Sequence, residues 1–152
     1  MWTRKQCETL AFNENLVRKY FSNFAAYSRT ENTFYTGWIR EAGYRNEYKI
    51  RLNLHASFPD EEPSLYVESP RILRMKKGGT INSLDTTHAW HNYRNGPDNP
   101  VKICFTNDWD SSCTCVLAIQ RSWIWVASYE THLITGENIA EIIDRWKKKL
   151  GN

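Results

Sequence analysis

The chain has 152 residues, enough for one ordinary domain with a single packed core. Apolar residues make up 41% and aromatics 14%, with seven Trp among them, which excludes a disordered tail. The net charge of +3 names no partner, and no apolar run approaches the length of a membrane span.

The N-terminal stretch, Met1-Trp2-Thr3-Arg4-Lys5-Gln6, lacks the apolar run of a secretory signal, so a cytoplasmic protein is expected. Whether Thr3 to Leu10 belongs to the first helix or to a separate turn is open. The helical period is plain further on, where Leu16, Val17, Tyr20, Phe21 and Phe24 form one apolar stripe with Asn13 as N-cap. Two strands follow, Thr33 to Arg40 and Glu47 to His55, joined by the turn Ala42-Gly43-Tyr44-Arg45-Asn46. In the second, Tyr48, Ile50, Leu52 and Leu54 alternate with Lys49, Arg51, Asn53 and His55. That alternation marks an antiparallel strand with one wet face, its apolar side expected to face the first helix. A third strand, Leu65 to Glu68, is bracketed by Pro63 and Pro70.

From Arg71 to Val101 the pattern dissolves into turn formers, Gly78-Gly79, Asn95-Gly96-Pro97 and Asn99-Pro100. A long irregular segment inside one domain is often functional. The run Val101-Lys102-Ile103-Cys104-Phe105 comes directly after it. Beyond, Val116, Ile119, Trp123 and Val126 share a helical face, with Ser111 or Ser112 as the start signal and Gly136 as the stop. A last helix carries Ile139, Ile142, Ile143, Trp146 and Leu150. One domain over residues 1–152 is predicted, of class α+β: an N-terminal helix, an antiparallel meander, an irregular loop and two C-terminal helices.

Basic residues cluster only at Met75-Lys76-Lys77 and Trp146-Lys147-Lys148-Lys149. The second cluster reads as a solvated helix C-terminus, where lysines complement the dipole, rather than a nucleic-acid patch. The cysteines are Cys7, Cys104, Cys113 and Cys115. Without a signal peptide they are expected unbridged. A single residue separates Cys113 from Cys115, where structural zinc sites have about two to four, so neither metal nor cofactor is expected.

The order of these pieces, with their local residues, resembles the ubiquitin-conjugating enzymes. Phe58-Pro59-Asp60-Glu61-Glu62-Pro63 is similar to the family's proline-bearing turn after a sheet strand. His88-Ala89-Trp90-His91-Asn92-Tyr93-Arg94-Asn95-Gly96 resembles its His-Pro-Asn segment and Asn-Gly turn, without the proline. Lys102-Ile103-Cys104-Phe105 resembles its active-site run, Trp109 its following tryptophan, and Thr114 to Ile119 the opening of its next helix. Trp125-Val126-Ala127-Ser128-Tyr129-Glu130 with Thr135-Gly136 looks like the prokaryotic branch, including the stand-alone conjugating proteins of anti-phage (CBASS-type) operons.

The resemblance implies a UBC-like fold, and a transferase that carries a protein C-terminus as a thioester on Cys104 and passes it to an amine. On its own terms Cys104 sits at a loop edge, with polar Thr106, Asn107, Asp108 and Asp110 downstream. Thiols are partly ionised near neutral pH and thiolates leave readily. The likeness assigns an asparagine to oxyanion stabilisation or loop ordering, here Asn92 with Asn95 second, and a histidine to pinning the loop, here His88 or His91. Implied partners are a protein cargo with a free C-terminus, either a cyclic-oligonucleotide synthase or a ubiquitin-like protein, with no membrane and no nucleic acid. The alternatives are a catalytically silent protein-binding module of the same fold, against which Cys104 argues, and an RNA-binding domain. The latter needs exposed aromatics beside its lysines, whereas most Trp residues here fall on core stripes.

Overall fold

The computed structural model describes residues 1–29 and 32–151. Helix α1 spans Arg4–Tyr20. Strands β1 (Phe24–Arg29), β2 (Asn32–Ile39), β3 (Tyr48–Leu54) and β4 (Ser64–Ser69) follow, then β5 (Asn92–Tyr93) and β6 (Val101–Ile103). Helices α2 (Cys115–Thr135) and α3 (Ile139–Lys149) close the chain. The six strands form one sheet in the order β1-β2-β3-β4-β6-β5, with antiparallel pairing throughout. The α+β architecture is therefore as expected, with more strands than the sequence disclosed.

α1 begins where the sequence left the choice open. The Thr3 hydroxyl accepts from the Gln6 N–H at 3.1 Å while the Gln6 side chain accepts from the Thr3 N–H at 2.9 Å, a reciprocal capping box. The Gln6 amide also donates to Ala56 O at 2.7 Å and Phe58 O at 2.9 Å, tying the helix start to the turn after β3. Asn13 is thus mid-helix rather than an N-cap. Phe24, assigned by periodicity to the helix, begins β1 instead, and Tyr20 is solvent-exposed at the helix end. The chain turns at Phe21, which stacks on Trp123 with ring centroids 6.4 Å apart.

β3 carries the predicted two-faced pattern: Tyr48, Ile50, Leu52 and Leu54 are buried, and Lys49, Arg51 and Asn53 are partly exposed. Each buried aliphatic chain of this kind contributes about 1.5–3 kcal/mol. The cover differs from expectation. α2 lies across β3, and α1 packs against α2 and β1. The Tyr48 hydroxyl hydrogen-bonds the buried Glu130 carboxylate of α2, and the Tyr48 ring meets Tyr129 edge-on at 6.1 Å. The long α2 (21 residues) can span the sheet, whereas α1 has only a narrow apolar stripe, with Val17 its one fully buried apolar side chain.

α2 ends at Gly136, which takes the left-handed conformation at φ 80° and donates to His132 O at 2.8 Å, the stop read from the sequence. Its start is not capped by Ser111 or Ser112. Thr114 holds the cap position without a side-chain hydrogen bond, and Asp110 accepts from the Ser112 N–H at 2.7 Å. α3 opens with an Asn138–Glu141 capping box and ends in Lys147, Lys148 and Lys149.

Candidate active site

The segment between β4 and β6 lacks hydrophobic periodicity yet is held by side-chain amides and by the two C-terminal helices. Buried Asn82 accepts from the Leu73 N–H at 2.9 Å and donates to Arg71 O and Asn99 O, both at 2.8 Å. Asn92 is 2% exposed; its oxygen accepts from the Thr87 hydroxyl at 2.7 Å and its amide donates to Asp85 O at 3.1 Å. Asn95 donates to Pro100 O at 2.8 Å. From the helices, Trp125 Nε1 donates to Trp90 O at 3.0 Å and the Ala140 N–H donates to Ala89 O at 2.9 Å. The His-Ala-Trp-His turn is thereby pinned to α2 and α3, and His91 at its end takes the left-handed region at φ 44°.

Cys104 follows β6 directly. Its N–H donates to His91 O at 2.8 Å, so the β5–β6 ladder runs one step past the strands and sets the thiol beside the turn. The side chain is half-buried, and its sulfur lies 3.9 Å from Asn107 Oδ1. Downstream, Trp109 Nε1 donates to Pro59 O at 2.7 Å and its ring packs on Phe58 and Phe105, anchoring the exit of the cysteine loop to the turn after β3.

A cleft of about 640 Å³ opens between this loop, α2 and α3. Cys104, His88, His91 and Asn107 line it on the loop side, Ile124, Trp125, Ile143 and Trp146 form its apolar wall, and Arg121 and Lys147 face it with Asp108 as the opposing charge. His88 and His91 have ring centroids 4.8 Å apart. Burial, reinforced by His88, Lys147 and Arg121 against the opposite pull of Asp144, holds the His91 imidazole below its ordinary pKa. Neutral His91 can therefore accept or donate a hydrogen bond at physiological pH without adding charge.

The structure brings Cys104, His88 and His91 to one cleft. Asn92 and Asn95 turn their amides into the loop. Asn107, exposed and three residues past the cysteine, is the side-chain amide beside the thiol. Among the sequence expectations it figured only as a polar neighbour, since nothing in its spacing distinguishes it from Thr106 or Asp108. All four cysteines are free. Among the described residues no three His, Cys, Asp or Glu side chains group closely enough to hold a metal ion, and no helix is long and apolar enough to cross a membrane.

Fold and site together define an α+β domain with a half-buried cysteine lining a cleft that also carries Arg121 and Lys147. Set against family models, curated proteins and solved structures, the chain matches none.

Proposed function

We propose that this chain is a cytoplasmic, UBC-like protein-conjugating transferase that uses Cys104 as its acyl carrier. The observation that carries the reading is the setting of Cys104: half-exposed, lining a cleft that two imidazoles also line, and beside a side-chain amide. A structural cysteine has no use for that surrounding, and Cys115, fully buried in the core, shows what one looks like in this fold.

In the proposed cycle the Cys104 thiolate attacks the carbonyl carbon of a protein C-terminus that arrives activated as an acyl adenylate or a thioester. The S–C bond forms as AMP or the carrier thiolate leaves. A lysine amine then attacks the new thioester, loses a proton to solvent or to a neutral imidazole, and expels the Cys104 thiolate. The tetrahedral oxyanion needs a hydrogen-bond donor, which Asn107 can supply once its amide is turned toward the sulfur, while Asn92 orders the loop. The likeness to the conjugating proteins of anti-phage operons extends the reading to bacterial antiviral defence, with a cyclic-oligonucleotide synthase or a ubiquitin-like protein as cargo.

Co-expression with the products of neighbouring genes tests it, with adducts read by gels run with and without reductant and by intact mass. Wild type is expected to show a reductant-labile adduct, Cys104→Ser a reductant-resistant ester, and Cys104→Ala neither, with Cys7→Ala and Cys113→Ala as wild type. A reductant-labile adduct that survives in Cys104→Ala would assign the carrier to another cysteine.

A further inference from the structure

Three side chains outside the cleft converge on the other side of Cys104. In the β5–β6 pair Tyr93 stands opposite Lys102 and Asn92 opposite Ile103. Asn92 and Ile103 are buried, so alternation puts Tyr93, Lys102 and Cys104 together on the opposite face. Lys102 Nζ lies 5.3 Å from the centre of the Tyr93 ring, and the Tyr93 hydroxyl donates to Glu62 Oε1 at 3.2 Å. In the same register Cys104 is the diagonal neighbour of Tyr93 on that face. Burial first, then Cys104 and Glu62, push the Tyr93 phenol well above its ordinary range, so it keeps its proton where thiols ionise.

A phenol has one hydrogen to donate. Here two acceptors compete for it: the Glu62 carboxylate and the Cys104 sulfur, which becomes a strong acceptor only when ionised. We propose that Tyr93 is a positioning residue for the Cys104 thiolate, engaged by Glu62 while the thiol is protonated and donating to sulfur once it ionises. The inference rests on Cys104 being the nucleophile. In the step the Cys104 proton passes to solvent, the Tyr93 O–H turns from Glu62 Oε1 to the sulfur, and no covalent bond of Tyr93 or Glu62 changes.

Glu62 opposes ionisation twice, by holding the donor and by like-charge repulsion. Lys102 lies on the strand face, and Arg121, Lys147, Asp108, His88 and His91 line the cleft. Substituting Tyr93 or Glu62 leaves all of these in place.

The test is alkylation of the free protein by iodoacetamide, resolved by site through peptide mass, over roughly pH 6 to 10. Tyr93→Phe, which keeps the ring on Lys102, is expected to move the Cys104 profile to higher pH and to slow its alkylation at neutral pH about three- to tenfold. Glu62→Gln is expected to move it the opposite way and to speed alkylation about threefold. Exposed Cys7 in the same samples is the internal standard. Profiles unmoved in both variants, or moved in the same direction, overturn the proposal. If Tyr93→Phe fails a thermal-melt check of folding, the direction of the Glu62→Gln shift decides alone. No cargo is involved, so the two readings part cleanly: shifted profiles without an adduct sink the carrier function, and an adduct with unshifted profiles sinks only the role of Tyr93.

Discussion

The side-chain oxygen of Asn13, in the middle of α1, accepts the backbone N–H of Cys115, the first residue of α2, at 2.7 Å. The same side chain donates to Thr9 O at 2.9 Å and is 1% exposed. One helix thus caps the other across 102 residues of sequence, while Thr114, in the ordinary cap position, gives no side-chain bond. Because Cys115 sits at the start of the helix that covers the sheet, this bond couples α1 to the core rather than only decorating an end.

Asn13→Ala is therefore expected to destabilise the fold by about 1–3 kcal/mol, since it strands a buried N–H as well as deleting a cap. Thr114→Ala should stay within about 0.5 kcal/mol. Urea unfolding followed by Trp fluorescence measures both, and equal losses would return the cap to Thr114.

The two asparagines near Cys104 should part in their effects. Asn92→Ala breaks the hydrogen bonds to Thr87 and Asp85 that order the loop. It is expected to lower stability by about 1–3 kcal/mol. Asn107→Ala removes an exposed side chain and should leave stability nearly unchanged. It should slow aminolysis of a preformed Cys104 thioester by roughly one to two orders of magnitude, in the range of a lost oxyanion donor. Single-turnover discharge to free lysine, beside thermal melts, separates the two. An Asn107→Ala enzyme that discharges at the wild-type rate removes Asn107 from the chemistry.

Alkali should unfold the protein at a threshold set by its buried tyrosines. Burial raises the phenols of Tyr35 and Tyr48, with the Glu130 hydrogen bond adding at Tyr48, and raises Tyr129 to about 12. An acid whose folded pKa lies above its unfolded value stabilises the fold fully below the unfolded pKa, here near 10. Above that pH the unfolded chain releases protons that the folded one keeps, so stability falls as pH rises. The urea midpoint is expected to begin falling near pH 9, where the Cys115 thiol raised by burial first contributes, and to drop more steeply above about pH 10, with part of the phenolate absorbance appearing only on unfolding. Complete tyrosine ionisation at pH 11 without loss of the helical signal would contradict this.

Gly37 is a close-approach glycine. A methyl group there would meet the Phe24 ring at 2.6 Å and Asn23 O at 2.9 Å. Gly37→Ala is expected to destabilise by about 1–3 kcal/mol through overpacking. Adding Phe24→Leu should cost less than the sum of the two single changes, because the ring in the way is then gone. Additive losses in thermal melts would place the strain on the Asn23 backbone instead.

The missed pieces share a cause. β1 was hidden because Phe24 falls where the α1 stripe would continue, and because Ala25 and Ala26 carry no strand signal. Asn95 reads as a turn former, Asn92 as an oxyanion or loop-ordering residue, and Asn82 carries no signal at all, when the amides of all three are the bonds that order the segment. Of the candidate site, Cys104, His88 and His91 were legible through their flanking residues, and they line one cleft. Tyr93 and Glu62 were not, because 31 residues separate the two partners of that hydrogen bond.

By itself the sequence determined what depends on neighbours a few residues apart. It settled the α+β class, the two faces of β3, the stop of α2 at Gly136, the lysine-rich end of α3, and a cysteine at a polar loop edge. Periodicity, capping chemistry and glycine's access to the left-handed region act locally, so a one-dimensional reading finds them. Only the tertiary structure decided which helix covers the sheet, that Asn13 caps α2, that Asn107 rather than Asn92 stands beside the thiol, and that Glu62 reaches Tyr93. Each of those is a hydrogen bond or contact whose existence depends on the packed arrangement of several elements at once, and no propensity of either partner announces it.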